Sequence, residues 1–426
     1  MPFTGLTFAY TSPTSEKVAV SCQVVQSASW DQIHTDLATA ITNVYTTVEA
    51  SMSVLNALVV TNDTSVNNTL TSVQSQMTSL ITLRNFLADN GSFEVWQRGA
   101  GASATFTVTS STAFQYTADR WYADTNVLAT TTQSCVISAQ AGLSNPSKLS
   151  GRFQRNVNQT ATTPLIFAYP FDATEINRML GLKVSFSMLA ATGANWSPTS
   201  GTFSVILYLG TGAVGRRNVS AYSTETQAFN ISTNLAAGSG ATAITGSSAA
   251  IIPTTTTQAE LQITWTPTGT AGANDYITFD DVQLEGINYT GVWSPTAYDR
   301  LPQQIELLLC KRFFQKSFDY GVAPAQSTSS LVGAFSSLAA VVSQALNFFW
   351  QFQPEMRVAP TITTYDPTAA SANWEAFSLG VDSASVAVLI TASRTGTKGV
   401  TIQSTVSGPP AAGNICYIHA AADSAI

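Results

Sequence analysis

Histidines, cysteines and paired carboxylates carry most protein chemistry, and this chain uses them sparingly. It has two histidines in 426 residues, His34 and His419. Nucleophilic catalysis needs a Ser or Cys beside such a base, and the sequence shows no obvious partner for either. Four cysteines, Cys22, Cys135, Cys310 and Cys416, lie far apart with no CxxC pair. They read as small buried hydrophobes, not as a disulfide framework. No HExxH, GxSxG, P-loop or GxGxxG occurs in its proper context. Glycoside hydrolysis needs two carboxylates flanking one bond. The acids of the C-terminal region, Glu355, Asp366, Glu375, Asp382 and Asp423, are scattered. The expectation is a protein that is not an enzyme. A capsule depolymerase with a site formed between subunits is the catalytic alternative that spacing leaves open.

Sugar binding needs less: a flat aromatic face and nearby amides or carboxylates. Trp196 in "TGANWSPTSG" and Trp374 in "SANWEAF" lie in turn-rich stretches. They are the candidate glycan-stacking platforms, with a loop-anchoring core role as the alternative for each. Trp96, Trp121 and Trp265 lie in strand-like stretches and read as core. "GTGAVGRRNV" at 210 to 219 reads as a hairpin or loop tip. It is no phosphate cradle, because no helix follows it.

Composition sets the class. Hydrophobic residues are 45% of the chain and charged residues only 10%, with Ser, Thr, Asn and Gln in place of charge. Such a chain can build real cores, and its surface is mainly hydroxyls and amides. The net charge is −7 at pH 7. With only Arg216-Arg217 and Lys311-Arg312 as basic pairs, a nucleic-acid partner is not expected. No apolar run reaches transmembrane length, so membrane insertion is not expected either. The N-terminus lacks the basic start and apolar core of a signal peptide.

The elements that must position these residues change type along the chain. Residues 1–29 read as an irregular attachment arm. From Trp30 to about Ala88 there is neither glycine nor proline, and apolar residues recur in heptads. Leu37, Ile41, Val44, Val48, Leu55 and Leu58 form one stretch of seam; Val66, Leu70, Val73, Met77, Leu80 and Leu87 form a second. A seam this narrow predicts an oligomeric coiled-coil stalk over 30–89. The two stretches are out of phase across "TNDTSV". The helix therefore either continues through a stutter or turns back as a hairpin. A continuous helix of about 55 residues would be roughly 80 Å long. Beyond Asn90 the period becomes two, in "LKVSFSM", "TFSVILYLG", "AELQITW" and "DYITFDDVQLE". That predicts an antiparallel β-sandwich over 90–301. The segment 302–426 reads as a linker helix followed by a smaller C-terminal β domain. Asn90-Gly91 is a good helix C-cap, and "NGSFEVWQRG" would then open the first strand. Phe93 and Val95 would face one side of it, Glu94 and Trp96 the other.

"NGSFEVWQRG" followed by "YTADRW" at 116 to 121 resembles the opening of a module found in tail-fibre and related structural proteins of tailed bacteriophages. The closing strand of that module is similar to "ITFDDVQLEG" at 277 to 286, and its "ELxLCxRYY" segment to "ELLLCKRFF" at 306 to 314. Its "MRxxPT" segment is matched by Met356, Arg357, Pro360 and Thr361, and its chain end by "YIHAAADSAI". The resemblance covers roughly 90–426 and leaves the first ninety residues uncovered. It implies a carbohydrate-binding-like jelly roll. Its first and last strands would bring Glu94 and Asp280 together at one sheet edge. There they could hold a structural calcium, the only cofactor expected; the alternative is that Glu94 is a surface carboxylate near Arg98 or Arg120. Asp281 would point away from Asp280 if the strand is regular.

The resemblance further implies a virion protein assembled in the host cytoplasm and displayed on the particle. It would be a homotrimeric fibre or spike whose N-terminal arm docks on a tail, baseplate or capsid protein. Its β domains would contact host-surface glycan. A secreted bacterial carbohydrate-binding or adhesin protein is the alternative outside that class.

Overall fold

A computed structural model of the chain describes residues 27–59, 85–87, 89–109, 114–124, 134–146, 148–198, 202–218, 221–287, 295–338, 346–367, 374–378, 381–386, 389–405 and 413–426. The chain divides into two compact units, residues 1–76 and 77–426.

In the first unit one helix is described, α1 (Ser27–Val59). It has no glycine or proline. Its threonines turn their hydroxyls back onto the helix: Thr39 donates to the Thr35 carbonyl and Thr42 to that of Ala38, each at 2.8 Å. This neutralises side chains that otherwise compete with helical hydrogen bonds. The seam residues Leu37, Ile41 and Val44 are 58%, 60% and 50% exposed, and Val48 is half-buried. Leu55 and Leu58 lie on α1 where only the backbone is described. Val66, Leu70, Val73, Met77 and Leu80 lie outside the described residues, as does the choice between stutter and hairpin.

The second unit is mainly antiparallel β. Its first twelve described strands are β1 (Thr105–Thr109), β2 (Gln115–Tyr116), β3 (Tyr122–Asp124), β4 (Ser134–Ala141), β5 (Leu149–Arg155), β6 (Leu165–Pro170), β7 (Lys183–Thr192), β8 (Thr202–Thr211), β9 (Ser223–Asn234), β10 (Thr242–Ser247), β11 (Gln258–Trp265) and β12 (Tyr276–Ile287). They make two six-stranded sheets, ordered β1-β4-β5-β12-β7-β10 and β2-β3-β6-β11-β8-β9. Both sheets turn apolar residues inward onto one shared core. Aromatic rings fill it: Trp121 stacks on Phe167 at 5.1 Å and Phe153 meets Trp265 edge-on at 4.9 Å. A short helix, α2 (Ala173–Met179), follows β6 and carries a capping box between Asp172 and Glu175.

The decapeptide 90–99 is not a strand. Asn90 and Phe93 take left-handed backbone angles, φ +88° and +57°. Phe93, Val95 and Trp96 are all fully buried. An alternating strand would have sent Val95 and Trp96 to opposite faces; a folded turn lets all three side chains go inward. Asn90 holds the turn, its amide donating to the carbonyls of Val95 (2.8 Å) and Asp119 (2.9 Å). The stretch just before it also belongs to the sandwich and not to a stalk. Phe86 and Leu87 are core residues, and the Phe86 amide donates to the Leu284 carbonyl at 2.8 Å.

The chain then forms α3 (Gln303–Cys310) and β13 (Phe314–Lys316), β14 (Phe335–Leu338), β15 (Asn347–Gln351), β16 (Thr361–Tyr365), β17 (Trp374–Ser378), β18 (Val381–Val386), β19 (Leu389–Thr395), β20 (Gly399–Thr405) and β21 (Asn414–Asp423). The long β21 pairs with β13, β14, β16 and β17, while β15-β20-β19 form a three-stranded sheet. A second, smaller core lies here, built on Phe348, Phe352, Met356, Ile402 and Ile418. Cys135, Cys310 and Cys416 are free and buried; Cys22 lies outside the described residues.

Candidate functional site

The structure brings Glu94 and Asp280 to one place, around a guanidinium. Arg300 donates to Glu94 Oε1 at 3.1 Å and to Asp280 Oδ1 at 3.4 Å, and it forms its shortest contact with Asp281 Oδ1. Asp281 does not point away as a regular strand would require. The pairing of β12 with β7 shifts register between Asp280 and Gln283, and Asp281 has φ +51°. That bulge turns both carboxylates toward Arg300. Backbone donors add to the clasp: Asp280 Oδ2 accepts from the amides of Leu143 (2.7 Å) and Ser144 (3.3 Å), and Glu94 Oε1, already held by Arg300, also accepts from that of Leu149 (3.2 Å). Burial, with Asp281 beside it, pushes the Asp280 carboxyl up to about 6.

Calcium wants six to eight oxygens around one point. Here the point is taken by a cation that the chain itself supplies, and the oxygens face N–H donors. The residues do not fit a calcium ion, and the described residues contain no other group of carboxylates, histidines or cysteines arranged for a metal. Arg300 had a signal in the sequence: it is the sole Lys or Arg between Arg217 and Lys311. Three neighbouring carboxylates needed one such partner.

Trp196 is not an open platform. It is 7% exposed and leans on Trp265 at 5.6 Å, because its turn folds back over the sandwich core. Trp374 heads β17 opposite Val386; its side chain lies outside the described residues.

His419 has the serine neighbour that spacing did not show. Ser317 Oγ and His419 Nδ1 are 2.9 Å apart, and Nε2 is 2.9 Å from the Ser330 carbonyl. A carbonyl only accepts, so Nε2 carries the proton and Nδ1 accepts from Ser317. The ring stacks on Phe318 at 4.1 Å, and burial lowers its pKa. His419 itself is 1% exposed, so this pair is closed to substrate.

The phage-like motifs converge on the joint between the sandwich and the C-terminal β region. Ser92 Oγ lies 2.8 and 2.6 Å from the two oxygens of Glu306 on α3. Gln97 donates to the Phe314 carbonyl at 3.2 Å, and Arg98 forms a two-pronged pair with Asp423 at 3.1 and 3.0 Å. Arg120 of "YTADRW" pairs with Glu175 at 2.7 Å and lies 3.6 Å over the Phe313 ring. These residues clamp the two regions together, which accounts for their types without a ligand.

An open cleft of about 420 Å³ lies beside the turn after β8. It is lined by Thr211, Gly212, Arg216, Ser223, Gln258 and Ile426 among others. The turn is pinned from below: Gly212 N donates to Thr257 Oγ1 at 2.8 Å and Tyr222 to the Gly215 carbonyl at 2.8 Å.

No protein-family model and no curated protein sequence matches this chain. Among solved structures, it is similar over 46% of its length to the enzymatically active domain of tailspike protein 4 of bacteriophage CBA120, at 12% identity and a TM-score of 0.26. That match spans 21% of the tailspike chain. The xylan-binding domain of CBM 22 is similar over 41% of this chain and 90% of its own, at 14% identity and a TM-score of 0.25. A cyclase from Fischerella sp. TAU is similar over 47% of this chain and 96% of its own, at 13% identity and a TM-score of 0.30. Scores this low assign no site and no activity.

Proposed function

We propose that this chain is a virion structural protein. It is a subunit of a trimeric fibre or spike, fixed to a tail, baseplate or capsid by its N-terminal end, whose β domains bind host-surface glycan. The observation that carries the reading is the stripe of Leu37, Ile41 and Val44, each at least half exposed on a regular helix. Water-exposed residues of that size in heptad spacing are stabilised by like helices, and β-branched residues along the seam suit three strands. The described part of α1, 33 residues, is itself about 50 Å long. Motif residues spent on a rigid joint suit a display scaffold. The exposed sheet surface supports a binding role: Ser204 meets Ser232 at 3.0 Å and Thr211 meets Thr224 at 3.0 Å across β8 and β9. Such uncharged hydroxyl rows match the hydrogen-bonding character of sugars.

The test is light scattering on the full chain and on a Leu37→Asp/Ile41→Asp variant. We expect a trimer at micromolar concentration that falls apart in the variant. A wild-type monomer sinks the fibre reading.

A further inference from the structure

One of the chain's two histidines, His34, lies on α1, and the seam fixes its place there. Ile41 and Val48 repeat at seven residues and take the a position of the heptad; Leu37 and Val44 repeat likewise and take d. His34 precedes Ile41 by seven residues, so it is the a residue of the preceding turns. The helix runs unbroken from Ser27 to Val59, so nothing shifts that register between His34 and the apolar seam. Its side chain is exposed on the single helix, as those of Leu37, Ile41 and Val44 are. Chains fixed at one end of a fibre run parallel, and in a parallel coil equivalent a residues meet in one layer around the axis. Three chains therefore bring three imidazoles to one point. A polar ring at an a position lowers the stability of the seam. Unlike the hydroxyl of Ser51, which falls on a later d position, an imidazole nitrogen is a good ligand for a borderline metal.

We propose that the trimer holds one zinc ion on its axis at His34, through one imidazole from each of three chains. The inference rests on the trimeric-fibre reading above and adds a ligand to it, because one chain alone supplies a single donor. Three nitrogens leave the fourth position of a tetrahedral ion to water. Calcium and magnesium prefer oxygen ligands, which imidazoles do not offer. The ion binds assembled chains in preference to separated ones, so it stabilises the trimer by mass action. It also fixes three equivalent residues at one height and so sets the register of the stalk near the N-terminal end of α1. Within one chain the described residues include no group arranged for a metal, so uptake of one ion per three chains is the signature of the axial layer.

The test is to strip the full chain of metal with a chelator, dialyse it against Zn2+, and measure bound zinc by atomic emission and mass by light scattering on the same sample. We expect one zinc per three chains. With free zinc held at about 100 times its dissociation constant, the trimer dissociation constant should fall about 100-fold. The protein concentration of half-dissociation varies as the square root of that constant and should fall about tenfold. His34→Leu keeps an apolar a residue, so it should remain trimeric and helical by circular dichroism while taking up no zinc and losing the zinc dependence. Calcium at the same concentration should not displace the ion. One zinc per chain, undiminished uptake by His34→Leu, or displacement by calcium overturns the assignment. A wild-type trimer that takes up no zinc overturns it too and leaves the fibre reading standing. A chain that stays monomeric with and without zinc overturns both.

Discussion

Arg155 is 1% exposed and donates to Asp275 at 2.7 Å, to Ser197 at 2.9 Å and to the carbonyls of Gln159, Ala161 and Gly269. Removing only the cation leaves a buried carboxylate unpaired. Arg155→Met should cost about 3–5 kcal/mol in urea unfolding, whereas the double change with Asp275→Leu should cost less than the single one. Equal losses would show that the pair is not the cause. Glu306 predicts a pH effect. Burial is the main cause that pushes it up to about 7, with Glu94 adding to it. A carboxyl with a folded pKa above its unfolded value near 4.3 binds more protons when folded across that window. Its contribution to stability is present below about pH 4 and falls as pH rises to about 7. Glu306→Gln should flatten the fall in unfolding midpoint between those limits. Asp119, pushed up to about 6 by burial, leaves a smaller remainder.

At the scale of elements, the turn 90–99 decides how the sandwich is closed. Asn90 makes three bonds there, two to carbonyls and one from the Val95 amide at 2.9 Å, and holds φ +88°. Asn90→Ala should cost about 4 kcal/mol, from three lost hydrogen bonds of about 1 kcal/mol each and about 1 kcal/mol of strain in a left-handed alanine. Asn90→Gly should recover the strain, about 1 kcal/mol of it. If glycine and alanine lose equally, the backbone angle is not part of the effect. Gly91 beside it admits no side chain, since a Cβ would meet the Val282 carbonyl at 2.2 Å.

At the scale of the whole second unit, the joint predicts shared unfolding. Arg120 reaches Glu175 in the sandwich and Phe313 past α3, and Arg312 reaches back to Asp172 at 3.2 Å. Calorimetry of Arg120→Leu should show the sandwich and the C-terminal β region moving to lower temperature as one transition. Two separate peaks, with only one displaced, would mean the joint does not couple them. Asp423→Ala should do far less, within about 1 kcal/mol, because its carboxylate is 43% exposed and exposed pairs contribute little.

Local pattern alone determined the helix and most of the long strands. An absence of glycine and proline with a heptad period is satisfied only by helix, and "TFSVILYLG" and "AELQITW" became β8 and β11 because alternation near a core has one stable backbone. The meeting of Glu94 with Asp280 was legible too, from the likeness of the two ends of a known module. Tertiary structure decided the rest. Alternation slips by one residue between Phe279 and Val282, and only the folded strand shows that slip as a bulge at Asp281, which turns a calcium-like pair into an arginine clasp. Whether Trp196 faces water or core depends on where its turn folds, which a turn-rich sequence does not state. The cleft was least legible of all, since Phe114, Arg216, Gln258 and Ile426 lie in distant parts of the chain. Pattern is set by neighbours along the chain, whereas a binding site is set by neighbours in space, and only the closed fold brings those together.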